Sequence, residues 1–157
     1  MNNNLYWMYV ENTKSDINEL LEMFWGFHDF RVVEIIYSAE KDRVDVILEY
    51  DTRDLRVNLR FMGDVNMNFV PTMDFEADWI SGSSMSIDEH FRILWVNDEI
   101  NESEPIPSDL LWIRGNTLNY AVVNYDNEPV QLPYEIVHQK LCIFGKESER
   151  HYSPKYL

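Results

Sequence analysis

A histidine beside a carboxylate can pass a proton near neutral pH, and the stretch FWGFHDF (24–30) holds such a pair in His28 and Asp29. A second histidine follows two acids in Asp88-Glu89-His90. In a working dyad the carboxylate orients one ring nitrogen while the other acts on a nucleophile or a water. No third group is nominated here. The chain has no Gly-rich phosphate loop, no G-x-S-x-G elbow, no H-E-x-x-H and no calcium loop. The serines of ISGSS (80–84) fall between two predicted strands, where a bulge or turn is the expected role. A metal centre needs three or four converging ligands, and His28, His90, His138 and His151 are scattered. Neighbouring residues on a regular strand point to opposite faces, so His28 and Asp29 are not expected to share an ion. Neither a metal nor a cofactor is expected. His28, Asp29, Asp88 and His90 define one candidate pocket, for a small ligand or an enzymatic role. The more economical reading is structural: Asp29 accepts from backbone N–H groups where a helix hands over to a strand, and His28 caps a carbonyl or packs on Trp25.

Charge supplies the second candidate. Thirteen Lys and Arg face twenty-eight Asp and Glu, a net charge of -15. Such a field repels phosphate backbones and anionic membrane surfaces, and it favours a basic protein partner. The loop NDEINESEPIPSD carries carboxylates at Asp98, Glu99, Glu102 and Glu104 without periodicity, which makes them the candidate contacts for that partner.

The elements that must position these groups follow from periodicity. SDINELLEMFW predicts a short helix near residues 15–25, with Ile17, Leu20, Leu21 and Phe24 on one face, Ser15 or Asp16 as cap and Gly26 at its end. β-structure is expected from there on. In RVDVILEYDTRDLRVNLRF the apolar residues alternate on both sides of a four-residue turn, Asp51 to Asp54. Closing that loop pairs Tyr50 with Leu55 and Leu48 with Val57. The same register sets Glu49 opposite Arg56 and Asp45 opposite Arg60 on the other face. FRVVEIIYSA, with little alternation, predicts a central strand covered on both faces. VNMNF predicts a further strand, as do FEADWISGSSMSI and FRILWVND around a turn near His90. LLWIRGNTLNYAVVNY reads as one long or bulged strand bent at Gly115. Residues 134–144 fit a strand or a helix equally. The expected fold is mainly β, with α+β as the variant: an antiparallel sandwich or curved sheet of seven to nine strands and one N-terminal helix.

The length of 157 residues suits a single domain over 1–157, with a peripheral polar tail at 145–157. Cys142 stands alone, so no intramolecular disulfide can form. No uncharged apolar run reaches the roughly 20 residues that span a bilayer, and a cytoplasmic protein is expected. The five tryptophans, Trp7, Trp25, Trp79, Trp95 and Trp112, fit a β core, and a group of them exposed on one face would instead mark a binding surface.

With GFHDFRVVEI, the charged hairpin, DWISG and FRILW, residues 24 to 124 resemble a loose group of small acidic β-rich bacterial domains. Some of that group are similar to immunity proteins of polymorphic toxin systems, which neutralise a cognate toxin by binding it. Most of that group have no assigned function. The missing catalytic constellation and the acidity together lead to the expectation of a non-enzymatic bacterial protein-binding module, and the acidic balance fits an immunity-like inhibitor of a basic toxin.

Overall fold

The computed structural model describes residues 7–50, 54–69, 80, 82–101, 103–126 and 128–129. Its elements run β1 (Met8–Val10), α1 (Lys14–Met23), β2 (Phe30–Ser38), β3 (Arg43–Tyr50), β4 (Arg56–Met62), β5 (Asn66–Asn68), β6 (Ser84–Ile87), β7 (Ile93–Val96), β8 (Trp112–Gly115) and β9 (Thr117–Val123). Five strands form one antiparallel sheet in the order β1-β9-β4-β3-β2, and four form a second in the order β5-β8-β7-β6. The two sheets do not close into a barrel. The mainly β fold with one short N-terminal helix is what periodicity predicts. Cys142, the segment 134–144 and the tail 145–157 lie outside the described residues.

The β3–β4 hairpin has the predicted register: Val44 pairs with Phe61, Val46 with Leu59, Leu48 with Val57 and Glu49 with Arg56. Tyr50 N–H donates to Leu55 O at 2.9 Å, which closes the loop. Val44, Val46, Leu48, Val57, Leu59 and Phe61 are all fully buried on the inner face. Each such side chain contributes about 1.5–3 kcal/mol through burial. On the other face Arg60 forks onto Asp45 with two bonds of 2.9 Å, and Arg56 donates to Glu49 at 2.9 and 3.0 Å. Arg31 of β2 donates to the other oxygen of Glu49 at 3.0 Å. Arg60 also lies 4.0 Å from the centre of the Trp7 ring. Pairs opposite each other on one sheet face hold both the charge match and the register.

Three local expectations are corrected. FRVVEIIYS is the edge of its sheet, not a central strand, and Val33, Ile36 and Tyr37 are exposed. A bulge between Val32 and Glu34 shifts its phase, so alternation is lost for a reason other than burial on both faces. The helix is capped by Thr13, whose Oγ1 accepts from Asp16 N–H, while Asp16 turns back to accept from Glu11 N–H. Finally, LLWIRGNTLNYAVVNY is two strands in different sheets. β8 ends at Gly115, and the chain crosses to β9 through Asn116. A Cβ at Gly115 would lie 3.1 Å from Phe61 Cβ and 3.2 Å from Met62 N, so the crossing needs glycine where the sheets approach.

Inside, α1 buries Ile17, Leu20 and Met23, and the chain then adds Phe24, Phe27 and Phe30, all fully buried. Phe24 stacks on Phe27 at 5.4 Å, Phe30 meets Phe27 edge-on at 5.3 Å, and Phe30 reaches Tyr50 at 4.8 Å. The aromatics of FWGFHDF thus form one end of the core. Among the described residues no helix is long and apolar enough to cross a membrane.

Candidate functional site

The helix stops at Met23 because the backbone reverses hand. Trp25, Gly26 and Phe27 have φ of 54°, 63° and 61°, and Asp29 follows at 66°. Left-handed backbone costs roughly 1–2 kcal/mol for each residue with a Cβ. Packing holds the turn in place: Phe27 N–H donates to Phe24 O at 2.8 Å and Phe27 is fully buried. Gly26 O accepts from Ser83 N–H at 2.7 Å, and Asp29 N–H donates to Ile80 O at 2.9 Å. Strained turns of this kind persist where the surroundings over-determine them, and they concentrate at binding and catalytic sites.

The turn sets Trp25, half-buried and 6.3 Å from Tyr50 between ring centres, on the wall of an open cleft of about 490 Å³. Its other walls are Leu21 and Glu22 of α1, Gly26, Ser83 at the start of β6, and Glu99. Ser84 draws in the loop that carries Glu99: its hydroxyl donates to Asp98 O and accepts from Ile100 N–H, each at 2.8 Å. Asp98 Oδ1 accepts from Glu99 N–H at 2.8 Å. Gly82 completes the arrangement. A Cβ there would lie 2.5 Å from Glu99 Oε1 and 2.9 Å from its Cδ, so only glycine admits the carboxylate at that position. Among the described residues the Glu99 carboxylate has no hydrogen bond or ion pair. Ser83 is 7% exposed, and its hydroxyl has no hydrogen-bond partner. A buried hydroxyl left unpaired costs about 1–3 kcal/mol, and Ser83 shares this state with Asn58 Oδ1, Trp95 Nε1, Asn97 Oδ1 and Arg114 Nε, which lie outside the cleft.

A second cavity, of about 220 Å³, lies between β1 and α1. Its walls include Val10, Leu20 and Met23, with Asp16 and Glu19 at the polar end. The polar groups there that carry structure already have work. Asp16 helps cap the helix, and the Tyr120 hydroxyl points to Met23 Sδ at 3.9 Å. Burial, together with Asp16 and Glu19, pushes the Tyr120 phenol up to about 12. No unpaired polar group marks this cavity as a site.

The sequence candidates are distributed as follows. His28 Nδ1 lies 3.1 Å from Asp29 Oδ2, with both side chains more than half exposed. The expectation that adjacent residues diverge fails because this is a turn with a positive φ at Asp29, not a strand. The backbone N–H of Asp29 is engaged by Ile80 O, but its carboxylate meets the imidazole, contrary to the backbone-capping role expected of it. Asp88 closes the β6–β7 turn, accepting from the backbone N–H groups of His90 and Arg92 and from Arg92 Nε at 2.8 Å. Desolvation pushes the Asp88 carboxyl up, but these bonds outweigh it and hold it below the ordinary carboxylate range. His90 lies 3.6 Å from Glu89, well exposed. His28 and Asp29 sit beside the Ser83 end of β6, whereas Asp88 and His90 sit at the other end of that strand. Among the described residues no three His, Cys, Asp or Glu side chains are grouped to hold a metal ion. Of the loop carboxylates, Glu99 enters the cleft, Asp98 anchors the loop, Glu104 is exposed, and Glu102 lies outside the described residues.

Trp25, Ser83 and Gly82 are the site residues that sequence reasoning passed over. Their signal was present in part: two of only five glycines, Gly26 and Gly82, each lie next to a residue of the cleft. No protein-family model matches the chain, and no curated protein or solved structure matches it. The cleft therefore has to be interpreted from its own chemistry.

Proposed function

We propose that this protein is a non-enzymatic module that binds a basic protein partner, in the manner of an immunity protein that docks onto a toxin and neutralises it. One observation carries the reading: on a chain of net charge -15, a half-buried indole shares a cleft with the carboxylates of Glu22 and Glu99. Acidic fields steer basic partners together, and a buried aromatic anchor supplies the part of affinity that charge alone does not. The resemblance of residues 24 to 124 to small acidic β-rich bacterial domains of unassigned function, some of them immunity-like, is in keeping with it.

The test is kinetic. Basic proteins captured with the chain as bait are purified and mixed with it over a salt series. Association is expected to slow steeply as salt rises, because the Debye length shrinks from about 10 Å at 0.1 M to about 3 Å at 1 M. Rates indifferent to salt would remove the reading. The runner-up, a small-ligand-binding protein or enzyme at His28 and Asp29, has their 3.1 Å contact beside the cleft in its favour. A His28→Ala variant that keeps full partner binding but loses turnover of a small substrate would install it instead.

A further inference from the structure

We infer that Phe91 and Tyr9 form the aromatic anchor of an interface, and that its occupant is a basic partner whose apolar hollow is ringed by lysine and arginine. The inference rests on the reading of the partner as basic and says where that partner is held. Phe91 lies in the turn between β6 and β7, at the other end of β6 from the cleft. Its φ is 61°, left-handed backbone that a residue with a Cβ adopts only under constraint. The other non-glycine residues of positive φ among the described residues have a local reason for it. Phe27 is fully buried, Trp25 meets Tyr50, and Asp29, Asp42 and Asp64 are of a type that tolerates the conformation. Phe91 has neither justification. It is 69% exposed, the highest value among the exposed large hydrophobic residues described, so its ring returns nothing to the core.

The surroundings hold the ring out all the same. Phe91 N–H donates to Asp88 O at 3.0 Å, and Asp88 Oδ1 accepts from the N–H groups on either side, those of His90 and Arg92. From outside the turn, Asn12 Nδ2 donates to Phe91 O and, at 2.8 Å, to Asn116 O. The other end of the same amide accepts from the Tyr9 hydroxyl at 3.4 Å, so one side chain sets two exposed aromatic residues beside each other. Strain that the surroundings enforce and the core does not use points to function, and aromatic residues exposed together mark an interaction surface. The nearby charges choose the occupant. Residues 8–16 and 88–92 carry Glu11, Asp16, Asp88 and Glu89 against Lys14 and Arg92, and Arg92 is already joined to Asp88 and Asp64. A second copy would bring the same acids and a further net charge of -15, which opposes pairing, whereas a basic surface is drawn in.

The experiment compares the wild type with Phe91→Asn. Asparagine tolerates left-handed backbone and, unlike glycine, adds no freedom to the unfolded chain, so the variant separates binding from folding. Its denaturant midpoint is expected to equal or exceed that of the wild type. The basic proteins captured with the wild-type chain as bait, once purified, are expected to bind Phe91→Asn about thirtyfold more weakly. Tyr37→Ala, which removes an exposed aromatic residue of β2, is expected to leave affinity within about twofold. Glu89→Gln is expected to slow association about two- to fivefold. A lowered midpoint in Phe91→Asn would make the ring a structural element and overturn the inference, with or without a partner in hand. Wild-type affinity in Phe91→Asn would overturn it too, and salt-dependent binding of a basic protein would then leave the proposed function standing. Self-association of the wild type in sedimentation, abolished in Phe91→Asn, would give the surface to a second copy and overturn the inference. If the wild type captures no basic protein, the proposed function and the inference fall together.

Discussion

The carboxylates of Asp45 and Glu49 end on arginines, while that of Glu99 ends on the Cα of a glycine. On the β3–β4 hairpin every local preference agrees: alternation, turn length, register and charge all choose the same pairing. At the cleft they conflict. Tryptophan and phenylalanine take left-handed backbone, a serine hydroxyl is buried unpaired, and among the described residues Glu99 meets no cation. Chains whose local and global preferences agree fold to one state, and departures from that consistency concentrate where a protein has something other than stability to maintain.

The contrast can be broken at either end. Leu48→Ala, in the hairpin core, is expected to cost about 3 kcal/mol, read as a fall in denaturant midpoint at unchanged slope. Asp45→Asn leaves Arg60 without its carboxylate and is expected to cost about 2 kcal/mol. In a double-mutant cycle with Arg60→Gln, coupling near zero would show that the fork does not hold the hairpin. Asp88→Asn is expected to cost about 1 kcal/mol at neutral pH. Because the folded pKa of Asp88 is depressed below its ordinary 3.8, its contribution is present above that value and lost as pH falls through the lower folded one. Melting curves of the variant and the wild type should therefore converge in acid. Glu99→Gln, by contrast, is expected to change stability by less than about 0.5 kcal/mol. A loss as large as that of Asp45→Asn would make Glu99 a structural residue and erase the contrast. Asp29→Gly, which relieves a positive φ at an exposed position, is expected to be neutral or to stabilise by up to about 0.5–1 kcal/mol.

The hairpin was legible because its information is local and redundant. Alternating Val, Leu and Tyr fix which face is buried, and the Asp45–Arg60 and Glu49–Arg56 pairs then confirm the register. The edge position of β2 was not legible, because the bulge after Val32 removes the alternation that would have distinguished it from a buried strand. The cleft was legible only in fragments. Glu99 stood among the acidic loop candidates, and FWGFHDF stood out for its histidine. Nothing periodic ties Trp25, Gly82 and Glu99 together, since they meet through hydrogen bonds between three separate segments. A non-glycine residue with positive φ leaves no mark in composition, so the turn that aims Trp25 becomes visible only in three dimensions.

The order of strands also sets when the protein can become whole. β9 lies between β4 and β1, pairing Tyr120 with Leu59 on one side and with Met8 on the other. A ribosome delivers β2, β3 and β4 long before β9, so β4 waits with one edge open, and β1 has no partner until β9 arrives. Contacts this distant in sequence slow folding, because a long loop must close before any pairing rewards it. The first strand of the larger sheet is therefore among the last to be secured. During synthesis β4 therefore keeps an open edge, of the kind that can pair with another chain, until β9 arrives.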